Sequence, residues 1–487
     1  MGSSPNDVFD RVVEWGDLET FASGRDPGLQ VGAVYGRRRQ GKSYLLRRLA
    51  RVTRGFYYQA LEEEATPALE HLGAALGEWL QVPGGRLAFD NWVAAVDALA
   101  QLGRGRDRPV VVVVDEFPYL LDRVPELSSI LQRAVDVSRE DDGGPVRLIL
   151  CGSALSVMTA LLSGQRALRG RVGTTVTIEP FDYRDAATYW GLEGAWDVAV
   201  RLHAILGGTP GYRDLLGLDP PVSVDQLGGW LAAGVCNPAS AMFREDDHLL
   251  AEERGLNDRA LYHSVLAAIA NGNHTETKMA GVLGRDRQAV AWPLRVLTDA
   301  GFVVRNDDAL RQRRPTWRVA EPIVRFHHVV TRPDLARFEE RRAVEAWTHA
   351  QERFSAHVLG PHFEDLARRW TGRHASETTT GGRLTRVGST QVNDPAGRSQ
   401  FELDVVGLAE RGGIGLIGEA KFRTMPLGLD VLARLERIRE LLTLRVPAEE
   451  AKLAVFSATG FRTDLVRAAA RRDDVELVDL GRLYAGD

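Results

Sequence analysis

QVGAVYGRRRQGKSYLLRRLA, residues 30 to 50, is the stretch from which the rest of the chain is read. The apolar run Val31 to Tyr35 stops at Gly36, and Arg37, Arg38, Arg39 and Gln40 lead on to Gly41, Lys42 and Ser43. Leu45, Leu46 and Leu49 then recur at helical spacing. Strand, glycine loop and helix are predicted in that order, and the loop fits G-x-x-x-x-G-K-[ST] in the context which that pattern requires. Two glycines let the backbone curl so that successive N–H groups point at phosphate oxygens, with a helix N-terminus behind them. Lys42 is placed to reach the β- and γ-phosphates, and the Ser43 hydroxyl to ligate Mg²⁺. The bland reading is a Gly-rich turn between a strand and a basic helix. The expectation is ATP with Mg²⁺, cradled by Gly36 through Ser43.

A second run agrees with it. Pro109-VVVVVDEFPYL is β-branched without polar alternation, as in a parallel-sheet strand buried on both faces, and it ends in Asp115 and Glu116. Acids at the carboxyl edge of such a sheet stand where ligands bind. Asp115 is expected to hold Mg²⁺ through its water shell, and Glu116 to orient and polarise the attacking water. Val146 to Cys151 reads as a further strand, which ends in Gly152 and Ser153. Ser153 is then either a sensor beside the γ-phosphate or part of a plain turn. An arginine within Ala167-Leu-Arg169-Gly-Arg171 is either a stabiliser of charge on the transferring phosphoryl group or a surface residue.

Length and composition bound the remainder. A chain of 487 residues exceeds one hydrophobic core, so about three or four domains are expected. The 44% hydrophobic and 26% charged content is that of an ordinary soluble globular protein. No apolar run is long enough to span a bilayer and the start is polar, so the cytoplasm is the expected location. Two cysteines, Cys151 and Cys236, leave no disulfide framework. A net charge of −5 makes no global case for nucleic acid, which must come from local patches.

Beyond the nucleotide region, Ala260 to Ala270, Glu276 to Leu283 and Arg287 to Ala300 read as three short helices, with Thr275 as an N-cap. Two strands, Gly301 to Arg305 and Thr316 to Val319, come next. Three helices and a hairpin describe a winged helix-turn-helix. Arg285, Arg287, Gln288 and Arg295 on its third helix and Arg311, Arg313 and Arg314 on its wing suit DNA phosphates and base edges, or a packing surface. Ser376 to Arg383 reads as a loop. In FELDVVGLAERGGIGLIGEAKF, a hairpin folded about Arg411 pairs Asp404 with about Gly418, which brings Asp404, Glu419 and Lys421 together. Two carboxylates and a lysine suit a Mg²⁺ site at which water is activated, and the alternative is a charged face on a solvated hairpin.

Two resemblances cover nearly the whole chain. FDR at residues 9–11, GRRRQGKS, VDEFPYL, CGS, LRGR and GGTPGY resemble the archaeal-type ATPases, P-loop NTPases close to the AAA+ and STAND groups. That resemblance gives Arg171 the phosphoryl-stabilising role and places Gly207-Gly208-Thr209-Pro210 in a helical lid near the nucleotide. The C-terminal segment is similar to the restriction-endonuclease-like PD-(D/E)xK fold: Asp404 takes the Asp position, Glu419-Ala-Lys421 the E-x-K, and Glu364 the acid of the first helix, with Leu403 where that family has Pro. The resemblances imply an α/β protein comprising a P-loop core with a parallel sheet (1–185), a helical lid (186–254), a winged helix-turn-helix (255–335) and a nuclease-like α/β domain (336–487). The metal ligands implied are Ser43 and Asp115 in the first site and Glu364, Asp404 and Glu419 in the second. DNA is the expected partner, further copies of the chain are an option, and no membrane is expected. The leading reading is an ATPase that engages DNA and cleaves it with Mg²⁺. The alternatives are an ATP-dependent regulatory switch with a non-cleaving C-terminal domain, and a triphosphatase with protein clients.

Overall fold

The computed structural model describes residues 8–140, 144–162, 168–253, 258–311 and 315–487. Ala167, Arg313 and Arg314, named above, lie outside the described residues.

One compact unit holds the described residues up to Pro180 together with Thr209–Gly211 and residues 248–253. Its sheet has five strands, β1 (Leu29–Tyr35), β2 (Phe56–Gln59), β3 (Val110–Asp115), β4 (Val146–Gly152) and β5 (Val172–Thr177). They lie parallel in the order β2-β3-β4-β1-β5. The valine run of β3 explains the layering. Val110, Val112 and Val114 enter one core with Leu148, Leu150 and the helices Ala65–Trp79, Trp92–Ala100 and Leu127–Glu140. Val111 and Val113 enter a second core with Ile149, Cys151 and the helices Val12–Ser23 and Lys42–Thr53. Alternate side chains of one strand thus feed opposite faces, and a polar group can stand only at its end.

The second unit comprises Phe181–Gly208, Tyr212–Asp247 and the described residues from 258 onward. Helices Arg259–Ala270, Glu276–Leu283 and Arg287–Asp299 precede an antiparallel pair, β6 (Val303–Asn306) and β7 (Thr316–Val319). Thr275 caps the second of these helices by accepting from the Lys278 amide at 3.3 Å. A further five-stranded sheet has the order β12-β11-β10-β9-β8, built from β8 (Leu384–Asp394), β9 (Ser399–Ala409), β10 (Ile414–Lys421), β11 (Lys452–Ser457) and β12 (Val475–Val478). β8, β9 and β10 are antiparallel, while β10, β11 and β12 are parallel. Helix Leu429–Thr443 packs on this sheet through Leu435, Ile438 and Leu442. Helix Gly360–Arg373 also packs on it, with the Trp370 and Phe456 rings edge-on at 5.6 Å.

Three details differ from the sequence reading. The expected loop at 376–383 contains a short helix, Glu377–Thr380, because Ser376 accepts from the Thr379 amide and closes its first turn. The β9–β10 pairing is one residue out. Ile414 faces Leu408, but an irregularity before Leu416 absorbs one residue, so that Val405, and not Asp404, faces Gly418. Carried one step on, this register sets Asp404 opposite Glu419. The first part of the β6–β7 connection, at Asp308 and Ala309, is packed on the sheet: Ala309 N–H donates to Ser389 O at 2.9 Å, Thr390 Oγ1 donates to Asp308 Oδ1 at 2.7 Å, and Ala309 is part of the sheet's core.

Leu148→Ala, at the centre of β4, is expected to lower the stability of the first unit by about 2–5 kcal/mol through lost burial and a residual cavity. Val52→Ala, on an exposed helix face, should stay within about 0.5 kcal/mol of the parent. Denaturant midpoints of the two variants check both.

Candidate functional site

In the first unit, the chain leaves β1 at Tyr35 and turns through the loop into the helix that begins at Lys42. Gly36 is required by a close approach, since a Cβ there would stand 2.3 Å from Ile178 O. Gly41 is required by its backbone, at φ +90°. Gln40 spans the loop, its side-chain oxygen accepting from the Arg37 amide at 2.9 Å. Lys42 Nζ donates to Arg37 O at 2.8 Å, which holds the ammonium inside the curve of the loop. Burial lowers the Lys42 pKa, with Glu116 and Asp115 near enough to oppose that shift. Arg38 pairs with Glu252, and Arg39 O accepts from Gly211 N–H at 3.0 Å, so that Gly211, just beyond the Thr209–Pro210 turn, is bonded directly to the loop.

The two acids at the end of β3 are held differently. Asp115 is 0% exposed. Its carboxylate accepts from Tyr57 Oη at 2.5 Å and from the Glu116 amide at 3.0 Å. Glu116 has a left-handed backbone, φ +51°, a costly conformation for a side-chain-bearing residue. That turn brings its carboxylate to Ser153, which donates to Oε2 at 3.0 Å from the end of β4. Arg171 instead makes a bidentate pair with Asp136, Nε to Oδ1 at 3.0 Å and Nη2 to Oδ2 at 2.9 Å. Tyr57 is the residue that sequence reasoning misses. Only the pairing of β2 with β3 brings it to Asp115, and no local pattern announces that.

The second unit gathers Asp404 from β9 with Glu419 and Lys421 from β10. Lys421 Nζ lies 3.2 Å from Asp404 Oδ2 and 2.8 Å from Glu419 Oε1. The Ala420 amide donates to Asp404 Oδ2 at 2.9 Å. Glu419 is 1% exposed, and its Oε2 has no hydrogen-bond partner. Burial raises the Glu419 pKa, with the Asp404 charge adding to the shift. Glu364, on helix Gly360–Arg373, is pushed up to about 8 by burial and by the same Asp404 charge. Asp404 and Glu419 share the Lys421 ammonium and offer the hard oxygen atoms that a divalent cation accepts, but Glu364, Asp404 and Glu419 do not bring one donor atom each within 4.8 Å of one another. Next to them, Arg368 donates to Asp404 O at 2.8 Å and pairs with Asp365 at 2.6 Å, while Arg318 pairs with Asp365 at 3.0 Å. A cleft of about 780 Å³ opens onto the cluster. Its lining includes Glu364, Asp404 and Arg368 together with Thr275, Lys278 and Arg287. Among the residues expected to contact DNA, Arg287 pairs with Glu276 at 2.5 Å, Arg285 and Gln288 are exposed, and Arg295 lies 3.8 Å from Asp299.

Residues 8–195 match a family model described as an ATPase domain predominantly from Archaea. An uncharacterised protein of Methanocaldococcus jannaschii, MJECL04, is 24% identical over 311 residues, an alignment that spans 63% of this chain and 65% of that protein. The fold is similar to the Walker-type ATPase PABY2304 of Pyrococcus abyssi, with a TM-score of 0.50, 20% identity, and 67% of this chain and 97% of that one covered. A weaker likeness, TM-score 0.40 at 14% identity, links 71% of this chain with 96% of the Aeropyrum pernix ORC2 protein, solved as ADPNP–ADP complexes. Among the described residues, no helix is long and apolar enough to cross a membrane. With its parallel sheet, its glycine loop and the match over residues 8–195, this part of the chain has a P-loop NTPase fold and is similar to that ATPase domain.

Proposed function

We propose that the chain binds and hydrolyses ATP in its first unit and that its second unit engages DNA and cleaves it with Mg²⁺. The observation that carries the first half is the convergence of Lys42, Asp115, Glu116 and Ser153 at the carboxyl ends of β1, β3 and β4. In this reading the loop amides and Lys42 bind the phosphates. Ser43 and Asp115 are the residues that would hold Mg²⁺, which when bound neutralises phosphate charge. Glu116 orients the attacking water, and Ser153 fixes the rotamer of Glu116. Arg171, paired with Asp136, is proposed to act on the phosphoryl group once that pair opens.

For the second half, the supporting observation is Glu419 Oε2, buried without a partner, on a carboxylate that shares Lys421 with Asp404, while Asp404 and Glu364 line the cleft. We read helices 259–299 with the β6–β7 hairpin as a winged helix, and the sheet β8–β12 as a PD-(D/E)xK-like domain. The corresponding divisions are 1–185, 186–254, 255–335 and 336–487. Glu364, Asp404 and Glu419 would hold Mg²⁺, whose chemistry is to activate water and to neutralise the scissile phosphate. Lys421 positions water and offsets phosphate charge, and Arg287 and Lys278, which line the same cleft, approach the backbone. One observation favours the switch alternative: Lys421 already pairs with both carboxylates, which neutralises part of the cluster with no cation present.

Magnesium-ATP at about 100 times its Kd should stabilise the first unit by about 2.7 kcal/mol, read as a raised melting temperature, and Lys42→Ala should remove that shift. Glu116→Gln should keep the shift and abolish phosphate release. Hydrolysis at the parent rate in Glu116→Gln would refute the role given to that residue.

Incubation of the full chain with supercoiled plasmid and Mg²⁺ or Mn²⁺, with and without ATP, tests the second half. Nicking should disappear in Asp404→Ala and Glu419→Ala and fall in Lys421→Ala, with ATP hydrolysis retained in all three. No nicking by the parent, together with equal Mn²⁺ uptake by parent and Asp404→Ala in calorimetry, would leave the switch reading in its place.

A further inference from the structure

A cluster of histidines and aspartates elsewhere in the second unit belongs to neither site. Asp246 sits in the first turn of helix Glu245–Glu252, His263 in helix Arg259–Ala270, and His328 in a widened, π-type turn at His327–Thr331. Such turns recur at functional sites because they displace side chains from the regular helical rows. All three residues are buried, at 1%, 8% and 2% exposure, and one donor atom from each lies within 4.8 Å of the other two.

The hydrogen-bond inventory of these groups is incomplete. Both ring nitrogens of His328, Nδ1 of His263 and both carboxylate oxygens of Asp246 have no hydrogen-bond partner. A buried polar atom left without a partner is costly, so five of them on three neighbouring residues need an explanation. Their neighbours supply one. His263 Nε2 lies 3.1 Å from Asp247 Oδ1, within reach for an Nε2–H to donate to that carboxylate, and Nδ1 is the ring nitrogen left without a partner. His327 Nε2 lies 3.2 Å from Asp246 Oδ2, near enough to orient that carboxylate although out of hydrogen-bond alignment. An imidazole whose far nitrogen donates to a carboxylate while its near nitrogen is left bare is the arrangement found behind metal ligands.

We propose that Asp246, His263 and His328 are ligands of a structural transition-metal site, with Zn²⁺ the best-suited ion. Two imidazole nitrogens and one carboxylate oxygen are donors that zinc accepts and that Mg²⁺ or Ca²⁺ does not prefer. Ligand atoms about 2.1 Å from a tetrahedral ion stand roughly 3.4 Å apart, so side-chain rotations of about 1 Å close the observed triangle. The burial of all three donors fits a structural site rather than one that turns over substrate. Its effect would be to pin the first turn of helix Glu245–Glu252 to helix Arg259–Ala270 and to the His327–Thr331 turn. Asp247 acts as a positioning residue through His263.

The test uses the full chain, purified without a histidine tag, stripped with chelator and titrated with Zn²⁺ and with Co²⁺. Parent protein should take up one more equivalent of Zn²⁺ than His328→Leu or Asp246→Asn, and Co²⁺ should give visible ligand-field bands that both variants lack. Asp247→Asn should weaken Zn²⁺ binding about 10- to 100-fold without changing stoichiometry, as expected for a residue behind the ligand. In metal-free protein, His328→Leu should melt at or above the parent temperature because it removes an unpartnered polar ring. Zn²⁺ should then raise the melting temperature of the parent and not that of the variant. Equal Zn²⁺ stoichiometry in parent and both variants, or no ligand-field bands in the parent, would overturn the proposal. So would destabilisation of metal-free protein by His328→Leu, which would assign the ring an ordinary structural role.

Discussion

Charge at the end of a strand that is buried on both faces is the constraint on which both candidate sites depend. A carboxylate in that position has lost its water, and the cost is tolerable only if other groups replace it. β3 shows the arrangement in its simplest form. Its valines supply two cores at once, and Asp115, at the first place where the strand can carry polarity, is met by a tyrosine hydroxyl and a backbone amide. β10 repeats the arrangement in another sheet with another partner: Glu419 comes after an apolar run, and an ammonium two residues on supplies the compensation. In each case apolar packing, which has no chemical role, decides where the chemically useful group must stand.

That constraint also explains which features are legible in the sequence. The glycine loop, the valine run with its acids and the hairpin acids are local patterns in which periodicity and residue type coincide, and the structure puts each on the expected element. β8 carries no such signature. Its residues, LTRVGSTQVND, mix polar and apolar side chains without clean alternation, because as the edge strand of its sheet it pairs on one side only. The one-residue error in the β9–β10 register has a similar origin. Counting from a turn assumes a regular ladder, and the irregularity lies between Ile414 and Leu416, at Gly415, which leaves no side-chain signal.

Groups that meet only after the helices pack leave no trace in the sequence. Tyr57 reaches Asp115 through strand pairing. Asp246, His263 and His328 come from three separate segments, none of which has metal-ligand spacing within itself. The histidine pair His327-His328 would draw notice as a dipeptide, yet the two rings have different surroundings, one against a carboxylate and one among buried groups that leave both its nitrogens bare. The β6–β7 connection belongs here as well. Arginine content draws attention to Arg311, whereas it is Ala309 and its amide, without any such signal, that tie the start of that connection to β8.

The short return of Thr209–Gly211 into the first unit, with the Gly211 amide on the Arg39 carbonyl, has a consequence for where the chain can be divided. Residues 248–253 return to the same unit, so the nucleotide module is not one uninterrupted piece of the gene. A recombination event or a truncation that ends the chain near residue 180 would carry away the sheet and the glycine loop while discarding Gly211 and Glu252, which brace that loop from later in the chain. A piece of the chain that keeps the glycine loop together with both of these braces has to run on at least to Glu252.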